Sequence, residues 1–371
     1  SEVVTDGLDH FEDGYRGGED GEKTEGIIAY FSAEIGLQSD LPTYSGGLGV
    51  LAGDHIKAAA DNGLDLVAIT LLYRHGYGRQ HLDEDGNQSE TFPAFDPRKI
   101  LTDTGIDISI PLDGKSLYSR IWKYSVKSEF GGEVNVLFLD TAHPDNDSIH
   151  SALGSRLYGG GEETRIRQEY LLGVGGIRAL KTLGLWPLKG LHLNEGHCAF
   201  AALEMLHQGW SREELARRCL FTSHTPVPAG HDRFAWGEVE EIMGELLPGD
   251  IRTKLGGDNC SMSHLAAQLA GKVNAVSKLN AVVAGEMFPK TTVHPITNGV
   301  HHLTWVGPAM QEIYDEFIPD WRTDPGELRK SQRIPDRELI SARKKSRTIL
   351  HELVKVCTGV QFDENALTIG F

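Results

Sequence analysis

Apolar runs and amphipathic stretches alternate along this chain. GIIAYFSAE (26–34) is a short run rich in aromatic and β-branched residues and reads as a buried strand. The turn SGGLG (45–49) follows, then VLAGDHIKAAADNG (50–63), an alanine-rich pattern that reads as a helix stopped by Gly63. LDLVAITLLY (64–73) is a second buried strand, which completes a strand–loop–helix–strand unit of the kind that builds parallel sheets. Residues 77–142 have a different texture. DEDGNQ marks a turn, and ISIPL, LYSRIWKYSV and VNVLFLD read as short strands of a meander or edge insertion. From about residue 160 helices return: ETRIRQEYLLGVGGIRALKTLG, GHCAFAALEMLHQG and CSMSHLAAQLAGKVNAVSKLNAVVAGEM each read as a helix. LKGLHL, CLFTSHT and VHPITNGV read as the strands between and after them. Residues 309–358 are helical and charged, and ALTIGF (366–371) reads as the start of another buried strand. The pattern is α/β, without repeats or low-complexity tracts.

Composition narrows the function classes. A chain of 371 residues suggests two or three domains. With 36 Lys and Arg against 53 Asp and Glu, the net charge is −17. That balance argues against nucleic acid and against anionic membrane surfaces as partners. No apolar run approaches the roughly 18 residues of a spanning helix, and SEVVTDGLDHFEDG is not a secretory leader. It also lacks an initiator Met, as a fragment or processed form would. Cys198, Cys219, Cys260 and Cys357 are far apart with no CxxC pair, so buried thiols in a reducing cytoplasm are expected. The 43 glycines exceed the usual share of about 7% and point to tight turns and close backbone approaches.

Polar groups gather where strands end. Ser45-Gly46-Gly47-Leu48-Gly49 lies between a strand and a helix, where backbone N–H groups can meet an anion. The same run also serves as a plain tight turn. It is not GxGxxG, and no Gly-Lys-Ser/Thr follows, so NAD and ATP are weakly supported. HLNEGH (192–197) and FTSHTP (221–226) each end a strand in a polar turn. TNGVH (297–301) is a sharp turn that puts an amide near Trp305. Each turn alone also reads as capping or loop polarity. Their recurrence at strand ends favours a ligand crevice along one sheet edge. HExxH and GxSxG are absent, so neither a zincin nor a serine hydrolase is indicated. The 16 histidines lack partners at ligand spacing, and no metal is expected.

Taken together, these motifs resemble the α-glucan phosphorylases (glycogen, starch and maltodextrin), most of all their short prokaryotic branch. The matching stretches are AYFSAEIGLQSDLPTYSGGLGVLAGDHIKAAADNG, LLYRHGYGRQHLDEDG, RLYGGGEETRIRQEYLLGVGG, HLNEGHCAFAALEML, FTSHTPVPAGHDRF and ITNGVHHLTW, in family order. The resemblance implies two Rossmann-like domains of GT-B type facing across a cleft, with pyridoxal phosphate in the C-terminal one. It implies phosphorolysis of a terminal α-1,4 bond, releasing α-glucose 1-phosphate with retention. The partners it implies are an α-1,4-glucan or maltodextrin and inorganic phosphate. A homodimer is one arrangement it admits.

By the same resemblance Gly46, Gly47 and Leu48 carry amides to phosphate and glucose, and His224 bonds the glucose 6-hydroxyl with Asn298. Glu195 and His197 would line the glucose subsite, Arg165 would flank its gate, and Trp305 would pack near the cofactor. Asn280 and Lys278 depart from the family's His and Arg. The implied organisation is a polar lead-in (1–25) and a glucan-side domain (26–320, with a β-rich insertion at about 77–142). Residues 321–371 would be a helical connection into a cofactor domain. No lysine here matches the Schiff-base lysine, so this reads as the N-terminal half, inactive alone. The other readings are a stand-alone glucan-binding domain, a subunit of a split phosphorylase, and, ranked last, a nucleotide-sugar glucan synthase.

Overall fold

The computed structural model describes residues 26–227, 230–364 and 366–370, so the lead-in lies outside the described residues. The chain divides into two compact units, one ending at Asn298 and the other beginning at Gly299.

The first unit is built on a sheet. Its strands in chain order are β1 (Ile27–Ser32), β2 (Leu66–Leu71), a small exposed hairpin of β3 (Arg79–Leu82) and β4 (Gln88–Thr91), β5 (Thr102–Leu112), β6 (Lys115–Lys127) and β7 (Glu133–Asp140). Next come β8 (Leu188–Asn194), β9 (Cys219–Ser223), a two-stranded ladder of β10 (Arg233–Ala235) and β11 (Asn259–Ser261), β12 (Lys272–Ala275) and β13 (Val293–Pro295). Nine of these form one sheet in the order β13-β12-β9-β8-β1-β2-β7-β6-β5. Every pair from β13 across to β7 is parallel. The β7–β6 and β6–β5 pairs are antiparallel and extend the sheet at one edge.

Helices cover both faces, which explains the unbroken apolar runs of the central strands. Phe31, Ile69 and Leu139 point to one face and pack with Tyr170 and Ile177. Their neighbours Tyr30, Ala68 and Phe138 point to the other and pack with Ala52 and Ile56 of the helix Gly47–Asp61. This is the α/β architecture that the sequence pattern predicts, in the Rossmann-like form that the resemblance implies.

Two long helices of the sequence reading are interrupted. Residues 162–182 run as a helix, a wider π turn at Leu171–Gly175 and a second helix. A side chain at Gly173 would lie 2.5 Å from the amide nitrogen of Ala201, so the turn lets two helices touch. The stretch 260–287 is not one helix but Met262–Leu269, then β12, then Lys278–Met287. The break falls at Gly271, where a Cβ would sit 1.6 Å from the Ala216 carbonyl oxygen. Ser277 then restarts the helix by accepting from the Asn280 amide at 3.0 Å.

The second unit is helical. Pro308–Phe317 and the long helix Asp336–Thr358 enclose Trp321, which is fully buried and donates to Asp315 at 2.8 Å. Residues 366–370 form no strand here, and Leu367 and Ile369 are exposed. An apolar run becomes a strand only beside a partner ladder.

Candidate functional site

The chain runs outward from β1 to β2 and β7 in one direction, then returns to β8 and continues through β9, β12 and β13 in the other. Adjacent parallel strands whose connections diverge leave a crevice at their carboxyl ends, the usual ligand position in open α/β sheets. Here that switch point is β1/β8, and a cavity of about 620 Å³ lies in this unit among residues that follow β1, β7, β8 and β9.

Four sequence-predicted residues line it: Leu48, Arg165, Glu195 and His197. Tyr158, Gly160 and Gly161 form a further part of the wall, and Thr225 and Asp232 complete the side after β9. Gly46, Gly47, His224 and Asn298 are not among its lining residues. Asn298 follows β13 and donates its backbone N–H to the Val276 carbonyl at 3.0 Å. Trp305 belongs to the second unit, in the short helix His302–Trp305, and is 57% exposed.

Glu195 is the hub. Its carboxylate is buried, yet it accepts from the backbone amides of Gly196 (3.0 Å), His224 (2.8 Å) and Thr225 (3.2 Å). Hydroxyls of Thr225 and Ser263 approach at 3.3 and 3.4 Å. One side chain thus ties the turn after β8 to the turn after β9. Its backbone lies at φ 78°, ψ 168°, a conformation that is unusual for any residue but glycine.

His224 is held by both ends. Its amide donates to Glu195, and its Nε2 lies 2.6 Å from Asn194 Oδ1, which as an acceptor fixes the proton on Nε2. Burial lowers its pKa, so the ring is neutral with Nδ1 as an acceptor. Asn280, the departure from the family's histidine, donates to the His224 carbonyl at 3.2 Å. Thr222 turns away and instead contacts His192 at 2.8 Å and Asn274 at 2.6 Å.

The wall after β9 carries charge. Arg165 donates to Asp232 Oδ2 at 2.6 Å and lies 4.9 Å over the Tyr158 ring. His197 Nε2 sits 3.3 Å from the same Asp232 oxygen, while its Nδ1 is buried without a partner. Burial, then Arg165, lowers the His197 pKa. Below them Glu169 is 2% exposed and neither of its oxygens receives a donor. Burial first, then the Asp232 carboxylate beside it, raises its pKa well above the usual carboxylate value. Burial alone would raise Asp232 too. Its neighbours, among them Arg165 at 2.6 Å and His197 at 3.3 Å, outweigh that and lower its pKa.

The glycine-rich turn departs most from its reading as an open anion cradle. The Ser45 and Gly46 amides already donate to Glu34 Oε2, at 2.7 and 3.3 Å. Gly46 is extended at φ −155°, and a Cβ on Gly46 or Gly47 would meet nothing within 4 Å. The glycine that the packing requires is Gly49, whose Cβ would lie 2.5 Å from Tyr44 Cβ and 2.8 Å from Glu34 Oε2. Glu34, Tyr158, Glu169 and Asp232 were missed as site residues, although all four lie within the quoted motifs. Among the described residues no cluster of three or more His, Cys, Asp or Glu could hold a metal ion.

The chain is 38% identical over 396 aligned positions to the maltodextrin phosphorylase of Thermococcus litoralis, across 94% of this chain and 47% of that protein. The glycogen phosphorylase of Mycobacterium tuberculosis is 34% identical over 93% of the chain and 47% of its own length. That of Aquifex aeolicus is 28% identical over 93% of the chain and 56% of its own length. Over nearly its whole length the chain is similar to the maltodextrin and glycogen phosphorylases. It spans about half the length of the curated relatives it matches. No protein-family model matches it.

Proposed function

We propose that this chain is the glucan-side half of an α-1,4-glucan phosphorylase, which transfers a terminal glucosyl unit to inorganic phosphate and releases α-glucose 1-phosphate. One observation carries the reading. Leu48, Arg165, Glu195 and His197 come from separate stretches of sequence, and all line one cavity at the switch point of the sheet. In this reading the Gly47 and Leu48 amides are among the donors left for phosphate. Glu195 holds the turns in register. Neutral His224, its Nε2 committed to Asn194, offers Nδ1 to a hydroxyl of the sugar. Asn298 serves the same hydroxyl, and Trp305 lies towards the cofactor.

Pyridoxal phosphate is the cofactor of this reading, and its phosphate would exchange a proton with the substrate phosphate. It needs a lysine amine for its aldehyde and donors for its phosphate. None of the residues lining the 620 Å³ cavity is a lysine. Lys254 and Lys290 line a different cavity, of about 320 Å³, and Lys254 is paired with Asp250 at 2.9 Å. The residues here do not fit the cofactor's anchor. A cytoplasmic location accords with four free cysteines and with the lack, among the described residues, of a helix long and apolar enough to cross a membrane.

The test joins this chain to the cofactor-bearing half of a related phosphorylase and measures glucose 1-phosphate released from maltoheptaose and phosphate. Phosphate-dependent release is expected. His224→Ala should lower kcat/KM with glucose 1-phosphate by roughly ten- to a hundredfold. It should cost far less with xylose 1-phosphate, which lacks the 6-hydroxymethyl group. Maltoheptaose binding without any release would favour a stand-alone glucan-binding domain. Equal losses on both donors would make His224 structural.

A further inference from the structure

Glu34 lies two residues beyond β1 and is 2% exposed. Its partners are neutral donors. Oε2 accepts from the Ser45 amide at 2.7 Å, the Gly46 amide at 3.3 Å and the Ser45 hydroxyl at 3.3 Å. Oε1 accepts from the Tyr158 hydroxyl at 2.6 Å. The carboxylate therefore sits against the start of the helix Gly47–Asp61, where unpaired N–H groups and the helix dipole favour a negative charge. Gly49 leaves the room it needs, since a Cβ there would lie 2.8 Å from Oε2. Tyr158 reaches it from the opposite wall, from a backbone at φ 57°, just ahead of Gly159, Gly160 and Gly161.

We propose that Glu34 is the positioning residue of the cavity: its carboxylate is a built-in anion that shapes the glycine-rich turn and, through Tyr158, locks that turn to the opposite wall. Two consequences follow from the geometry. Ser45 and Gly46 have no amide to spare for a ligand, so the turn offers the amides that follow, Gly47, Leu48 and Gly49, which have no acceptor among the described residues. The turn and the Tyr158 wall also share one side chain, so loosening either loosens both. Glu34 itself touches no substrate atom in this account. That the donors it leaves are meant for phosphate rests on the function proposed above, whereas the positioning role does not.

The test uses the 371-residue chain itself, by amide hydrogen exchange on wild type, Tyr158→Phe, Glu34→Gln and Glu34→Ala. Tyr158→Phe and Glu34→Ala should speed exchange in segments 44–50 and 158–162 by about tenfold or more, leaving β2 protected. Glu34→Gln keeps an amide oxygen for Ser45 and Gly46 and can donate to the Tyr158 oxygen, so it should stay within about threefold of wild type. Exchange unchanged in Tyr158→Phe, or a rise spread over the whole sheet, overturns the proposal. If Glu34→Ala does not fold, Tyr158→Phe and Glu34→Gln still decide it. In the joined enzyme, Tyr158→Phe should raise the KM for phosphate more than it lowers kcat. Local exchange that rises while the phosphate KM stays put keeps Glu34 as the positioning residue and removes phosphate from the turn.

Discussion

At Glu195 an unfavourable backbone and a favourable side chain meet in one residue, and substitutions can separate them. The φ 78°, ψ 168° conformation costs about 1–3 kcal/mol in a residue with a Cβ. Against that, the buried carboxylate satisfies the amides of Gly196, His224 and Thr225. An orphaned buried amide costs about 1–3 kcal/mol, and these are not additive, so Glu195→Ala should lose roughly 3–5 kcal/mol. Glu195→Gly loses the same clamp but relieves the strain. Glycine usually stands below alanine by about 0.5–1 kcal/mol, so here the order should invert, with Gly the more stable by about 0.5–2 kcal/mol. Glu195→Gln should fall between wild type and Gly. Its oxygen can serve His224 and Thr225, but its NH2 then faces the Gly196 N–H. Urea titrations followed by tryptophan fluorescence give the order, and hydrogen exchange at 222–226 locates the loss. An alanine variant as stable as the glycine one would refute the strain. An alanine variant within about 1 kcal/mol of wild type would refute the clamp.

Burial, with His55 and His224, lowers the His192 pKa from 6.5 to about 3, so the folded state resists the proton that the unfolded chain takes up. Stability should therefore fall as pH drops from about 6.5 towards 3, by up to about 1.4 kcal/mol per pH unit from this group, and Tm measured for His192→Gln should fall less steeply. Glu169 has the opposite sign: its folded pKa is raised, so stability is lost as pH rises above its unfolded value of 4.5. Glu169→Gln, which mimics the neutral form, should gain on wild type from pH 5 to 8, and a constant difference across that range would mean the proton is not held. Gly47→Ala should change stability by less than about 0.5 kcal/mol, whereas Gly49→Ala should cost about 1–3 kcal/mol, both read from thermal melts.

The central strands were legible because helices cover both faces of the sheet, so that β1 and β2 appear as uninterrupted apolar runs in the sequence. β12 was not. It is four residues long, and Lys272–Ala275 sits between two helical patterns whose apolar spacing continues across it. What breaks the helix is the Ala216 carbonyl pressed against Gly271, a contact with a residue more than fifty positions away that no local period can register. The π turn at Leu171–Gly175 was hidden for the same reason, since helix-to-helix contact at Gly173 selects it rather than local propensity.

Within the site, chemistry at strand ends was legible and its direction was not. Residue types at 195, 197 and 224 marked the turns after β8 and β9, and the cavity lies beside both. Yet an acidic residue and a histidine in adjacent turns look alike in sequence whether they face a ligand or each other. Glu195 turns inward and closes three backbone donors, so the amides of the β9 turn are spent within the protein rather than on a ligand. The glycine run shows the same reversal, because Glu34, just beyond β1, had already claimed the amides of Ser45 and Gly46. Both carboxylates do locally what a bound anion would otherwise do. The donors that the site presents are those that these two side chains leave over.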